Sequence, residues 1–223
     1  MTLRIVSGFV YSLLLAACVG APMPSAYAQN KAANLEQKLE TIVRQYKERY
    51  RDQPDREIDF FELGEHEDWV EMVGAPCKYL PEAVRLIQSK ENDVNKDTIL
   101  ISTMWSLPLK DYVTTWGPAV VQAYLNGRVR ARDLSAAIFL PMDPRTDAYL
   151  GYQEEPVRQF YTSILNNKRI AVLPSGGETI GTYIPKILDG SIARTLKIDI
   201  EHHVLGEGTP VDLTTTCTTQ RTR

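Results

Sequence analysis

The 223-residue chain has little of what most catalytic and metal sites are built from. Histidine occurs three times, at 66, 202 and 203. There is no His-Glu-x-x-His and no Cys-x-x-Cys, so no local run of residues has the spacing of a zinc site. Gly-x-Ser-x-Gly, Ser-x-x-Lys and Gly-Lys-Ser/Thr are also missing, which removes the local signatures of serine acylases and phosphate-binding loops. A basic surplus is lacking too: Lys and Arg number 25 against 28 Asp and Glu. That balance argues against a nucleic-acid partner. No cofactor and no metal are expected, and no residue is assigned a catalytic role.

Cysteine is scarce, with three in the chain, and Asn-x-Ser/Thr glycosylation sequons do not occur. Cys18 falls in an amino-terminal segment with the three parts of a secretory signal: basic Arg4, an apolar run over 5–18, and "APMPSAYA" ending at Ala28. Cleavage there would start the mature chain at Gln29 and leave 24 basic residues, 25 less Arg4, for a net charge of −4. A second processing site is written in the same segment. Leu15-Ala16-Ala17-Cys18 resembles the bacterial lipobox, which would end the signal at residue 17 and lipidate Cys18. Both readings put the protein outside the cytoplasm, periplasmic or secreted in one case and lipid-anchored in the envelope in the other. Membrane association is expected only with the lipid, since the apolar run is short for a bilayer and Pro22 and Pro24 follow it. Cys77 and Cys217 remain as a pair, and in an oxidising compartment an even pair is a disulfide candidate.

Residues 29–223 are expected to form one mainly α domain. Over 32–52, Leu35, Leu39, Ile42, Val43, Tyr46 and Tyr50 recur at spacings of three and four, the pattern of an amphipathic helix. From 79 to 188 two proline series interleave. Pro81, Pro118, Pro156 and Pro185 each stand near the start of a short amphipathic stretch, where proline is tolerated in a helix. Leu-Pro at 107–108, 140–141 and 173–174 ends three apolar runs at a constant spacing of 33. Two helices per unit at that period resemble HEAT-like repeats in unit design. The resemblance is architectural and covers residues 71–190, and an irregular helical bundle is the alternative. The last residues alternate instead: Leu196, Ile198, Ile200 and His202, then, after Gly-Glu-Gly, Val211, Leu213, Thr215 and Cys217. Alternation predicts a β-hairpin over 194–218, stapled by Cys217 to Cys77.

Three stretches carry candidate function. The first is "DREIDFFELGEHEDWVEM", 55–72, with eight carboxylates against Arg56 and with Phe60, Phe61 and Trp69 among them. Dense negative charge steers a basic partner, and exposed aromatics supply interface anchors. Asp59, Phe60, Glu62, Glu65, Asp68 and Trp69 are the partner-binding candidates; the plainer reading is a solvated helix face with its aromatics turned into the core. The second is "ENDVNKDT", where Asp93, Asn95 and Asp97 copy the opening of a calcium loop. Thr98 stands where the turn glycine belongs and Met104 where the bidentate glutamate belongs, so an inter-helix loop capped by Asp97 explains it better. The third is "VLPSGGETIG". Ser175 as a nucleophile lacks any base placed beside it, and the Leu-Pro series turns Ser175 into a helix cap.

These readings converge on an exported bacterial envelope protein that binds another protein with a basic surface, an immunity or inhibitor-type protein in its most concrete form. An envelope hydrolase using Glu178 or Ser175 is one alternative. A structural subunit of an envelope or secretion assembly is the other.

Overall fold

The computed structural model describes residues 26–89, 93–139, 154–175, 177–191 and 214–220. The leader residues 1–25, Cys18 included, therefore lie outside the described residues, as do Leu140-Pro141, His202, His203 and most of the expected hairpin.

The fold is mainly α. Helix α1, Ala26–Arg49, begins six residues before the sequence pattern places it. Its stripe of Leu35, Leu39, Ile42, Val43 and Tyr46 is buried, while Arg44, Lys47 and Glu48 face outward. After a 3₁₀ turn at Phe60–Glu65 come α2, Glu67–Gly74, α3, Pro76–Ile87, and α4, Val94–Thr103. The next helix is continuous in three parts: α5, Leu109–Asp111, a π-helical turn at Tyr112–Trp116, and α6, Gly117–Leu125. Pro118 accounts for the wide turn, because its ring has no N–H to give Thr114 and crowds that carbonyl. Then follow α7, Ala131–Phe139, α8, Glu155–Leu165, α9, Lys168–Ala171, and α10, Ile180–Leu188.

Helix α4 organises the core. Seven consecutive residues, Asp97 to Thr103, are buried, and α1, α2, α3 and α7 all pack against it. A run buried on every side shows no helical periodicity, so its sequence looks merely apolar. Its hydroxyl residues are satisfied within the helix: Thr98 Oγ1 donates to the Val94 carbonyl at 3.0 Å, and Ser102 and Thr103 hydroxyls both donate to the Ile99 carbonyl. A helix enclosed in this way is the centre of a bundle. In a stacked α-hairpin array each helix would keep one face for solvent or for a ligand.

The prolines divide. Pro156 stands in the first turn of α8 and Pro118 in that of α6, but Pro81 and Pro185 lie inside α3 and α10. The sequence had placed them near helix starts; in α3 that position belongs to Pro76. The third Leu-Pro pair also differs from the first. Leu107-Pro108 leads straight into a helix, whereas Pro174–Ser175 pairs antiparallel with Glu178–Thr179 across a tight turn. Gly177 adopts φ +93° there, a conformation that a side chain would strain. Thr179, not Ser175, caps α10, accepting from the Thr182 N–H at 3.2 Å.

At the carboxyl end the described residues reach only the last part of the expected hairpin, from 214 on. Cys217–Gln220 is a single helical turn, α11, rather than the end of a strand. Cys77 and Cys217 are joined by a disulfide, with Cα atoms 5.1 Å apart, and the Cys217 N–H donates to Asp111 Oδ2 at 2.8 Å. Two tertiary anchors on one residue override the local alternation of Thr and apolar residues.

Candidate protein-binding surface

The acidic segment runs from the end of α1 through the 3₁₀ turn into α2, and most of its carboxylates are engaged by the helices beneath. Glu62 is the hub of one network. Its Oε1 accepts from the Tyr50 hydroxyl at 2.8 Å and from Arg56 Nη2 at 2.6 Å, and its Oε2 lies 2.8 Å from the Tyr46 hydroxyl. The Arg56 guanidinium sits over the Tyr50 ring at 3.9 Å and its Nε donates to Tyr46. Hydrogen bonds from the two tyrosines, Tyr50 first, hold the Glu62 carboxyl below the usual carboxylate range.

Lys38 is the hub of the other. Its ammonium meets Asp68 at 2.5 Å and Glu71 at 2.8 Å. Burial opposes its charge, but the bonds to the two carboxylates outweigh burial and keep it protonated well above the usual lysine range. Glu71 accepts in addition from Tyr79 at 2.6 Å and Lys78 at 3.2 Å. With Lys38 as the largest influence, its carboxyl is held down to about 2. Glu65 pairs with Arg49, and Glu57 with Arg130 and Arg132.

Phe60 and Trp69 are half-buried and turned inward. The Phe60 ring leans on Trp105 with centroids 4.9 Å apart, and the Trp69 indole N–H donates to Ser102 Oγ at 2.9 Å. They tie the 3₁₀ turn and α2 onto α4 and its extension, so these two rings serve the packing rather than an outward anchor. Asp55, Glu57, Asp59, Glu65, Glu67 and Glu71 are its exposed acids.

The calcium-like stretch is spent on structure. Asp93, not Asp97, caps α4, its Oδ1 accepting from the Asn95 and Lys96 N–H groups at 2.9 and 3.3 Å. Asn95 Oδ1 accepts from the Ile58 N–H at 2.9 Å, fixing the strand-like approach to the 3₁₀ turn. Asp97 is only 6 % exposed, and its carboxyl has no hydrogen-bond partner among the described residues. Burial, reinforced by the charges of Asp133 and Asp93 and opposed by Arg130, pushes its carboxyl up to about 7. A buried acid of this kind is invisible in sequence, where Asp97 looks like one more polar loop residue.

Glu178 is half-buried and pairs with Lys186, Oε1 to Nζ at 2.5 Å. That pair fastens the Pro174–Thr179 turn to α10. His66 lies at the start of α2, with its Nδ1 3.1 Å from Gln45 Oε1. Among the described residues no three His, Cys, Asp or Glu side chains gather as a metal site, and no helix is long and apolar enough to cross a membrane. Comparison with protein-family models, curated proteins and solved structures finds no match for the chain.

Proposed function

We propose that the protein is exported to a bacterial cell envelope and acts there by binding another protein with a basic surface, in the manner of an immunity or inhibitor protein. The observation that carries this reading is the acidic face over 55–72. Its carboxylates Glu57, Glu65, Asp68 and Glu71 are held by ion pairs from α1, α3 and the approach to α7, and Glu62 by Arg56 of the same segment. A negative surface fixed in this way loses little freedom when a partner docks, and preorganisation of this kind favours affinity. Export is supported by the three-part leader and by the Cys77–Cys217 disulfide, a bond that persists in oxidising compartments.

Two experiments test the proposal. Expression with the native leader, followed by mass analysis of the product, should give an amino terminus at Gln29 or a lipidated Cys18. A full-length cytoplasmic product would overturn export. For binding, Asp55, Glu65 and Glu67 are the acids to reverse to Lys, because they are exposed, whereas Glu62 and Asp68 sit in the two networks. The triple variant should fold and lose salt-sensitive capture of the envelope partner; undiminished capture would remove the surface assignment.

A further inference from the structure

Between α1, α3 and α4 lies a cavity of about 270 Å³. Leu39, Leu86 and Leu100 form apolar walls, and Glu36, Asp93 and Asp97 bring carboxylates to it. Asp97 distinguishes this place from an ordinary acidic surface. It is more than nine-tenths buried, its carboxyl has no hydrogen-bond partner among the described residues, and it lines the cavity. An ionised carboxylate in that position is costly unless a cation or donors reach it.

Among the described residues no lysine or arginine side chain pairs with Asp97, and the nearby cations are engaged elsewhere. Lys96 lines the same cavity, but its ammonium is drawn to Glu40 on α1 at 3.2 Å. Arg85 on α3 is engaged by Glu82 and lies 3.7 Å from Glu36. Arg130, ahead of α7, is held by Asp133 at 2.7 Å and Glu57 at 2.5 Å. Helix α2 meets α4 further along, through Trp69 and Ser102. A small divalent metal is a poor fit, since the Asp93 carboxylate oxygen that faces the helix start already accepts two backbone N–H groups and, among the described residues, no three acidic side chains gather closely enough to hold one. A carboxylate beside three leucines, in a lining that also carries Glu36, Ser89, Asp93 and Lys96, matches a ligand with one charged donor head and a short apolar stem.

We propose that this cavity is a binding site for a primary alkylammonium, with Asp97 as its counter-ion. The alkyl stem lies against Leu39, Leu86 and Leu100, and the ammonium replaces the proton that the empty site keeps on Asp97. Binding below neutral pH therefore releases one proton to solvent. The same chemistry is carried by a free amine and by the side chain of an accessible lysine on another protein. The inference does not rest on the partner-binding face over 55–72.

Calorimetric titration of the oxidised full chain with n-butylammonium chloride, at constant ionic strength, tests it. Saturable one-to-one binding is expected, about tenfold tighter at pH 8 than at pH 6 because Asp97 must give up its proton. The Asp97→Asn variant should lose it, and tetramethylammonium, which has no N–H, should bind far more weakly. Should the variant fail to fold, the carboxyl carbon resonance of Asp97 in the wild-type protein is the second readout, and it should move to its ionised value on adding butylammonium at pH 6. Parallel titration with Nα-acetyl-lysine methylamide identifies the source: binding of both probes points to a protein lysine, and binding of butylammonium alone to a free amine. No saturable binding, equal binding to Asp97→Asn, or equal binding of tetramethylammonium would overturn the proposal.

Discussion

Gly117 and Phe160 occupy the same space: a Cβ on Gly117 would stand 2.6 Å from the Phe160 Cζ and 3.2 Å from the Tyr112 carbonyl oxygen. The glycine follows the π-helical turn and lets α8 close onto the α5–α6 helix. Phe160 is buried, so its ring cannot swing into solvent.

Gly117→Ala should therefore destabilise the fold by about 1–3 kcal/mol, the range for overpacking a tight core, although alanine in a helix is favoured over glycine by up to about 1 kcal/mol. Phe160→Leu in the same chain should recover part of the loss. Urea titrations of the two single variants and the double variant measure the coupling. A more stable Gly117→Ala variant would show that Phe160 moves aside easily.

Asp97 makes stability fall as pH rises. Its carboxyl titrates near 7 in the folded chain and near 3.9 when unfolded. The native state thus holds the extra proton between those values, and the contribution is complete below about 4 and lost as pH passes 7. Asp97→Asn, which needs no proton to remain neutral, should leave stability almost unchanged at pH 4 and raise it at pH 8 by a few kcal/mol at most. Thermal melts at the two pH values, without added amine, read the difference directly. An equal effect at both would mean that Asp97 is not the titrating group.

Glu71 has the opposite sign. Its carboxyl is depressed to about 2, so its contribution is present above about 4.5 and fades as pH falls toward 2. The side chain is half-exposed, at 51 %, and solvent screening keeps the contribution below about 1 kcal/mol. Lys38→Met should cost on the order of 1 kcal/mol at pH 7 and flatten the acid limb of the stability curve between pH 4.5 and 2. An unaltered acid limb would show that Lys78 and Tyr79 suffice to hold Glu71 ionised.

The Cys77–Cys217 bond closes a loop over a sequence separation of 140. Replacing both cysteines by serine should cost about 2–5 kcal/mol. Reductant should lower the unfolding midpoint of the wild-type chain and leave the double variant unchanged. A wild-type midpoint indifferent to reductant would mean that the bond does not constrain the unfolded chain.

What the sequence conveys well is what one face of one helix can record. The stripe from Leu35 to Tyr46 in α1 has a solvent side to contrast with, so its period shows, and Cys77 and Cys217 stand out because few cysteines compete. Helix α4 has no such contrast, and the burial of Asp97 follows from what surrounds it rather than from its neighbours in sequence. The alternation through Thr215 and Cys217 gives way where the disulfide and Asp111 hold Cys217 in a helical turn. The acidic run over 55–72 is legible as charge. Apart from Arg56 its cations are not, because Lys38, Arg49, Lys78 and Arg130 come from separate parts of the chain and only the fold brings them to Glu57, Glu65, Asp68 and Glu71.

If the chain is exported as proposed, the order in which the cysteines leave the ribosome gives leader removal a second task. Cys18 precedes Cys77 by 59 positions, whereas Cys217 follows it by 140. Loop-closure entropy favours the nearer sulfur, modestly but in the wrong direction. While an oxidising environment can reach Cys77 and the leader is still attached, Cys18 is both the earlier and the nearer suitor. Cutting after Ala28 discards that thiol, and lipidating Cys18 caps it. On the export reading either route leaves Cys77 a single eligible mate, so the signal segment guards the fidelity of a bond that it never forms.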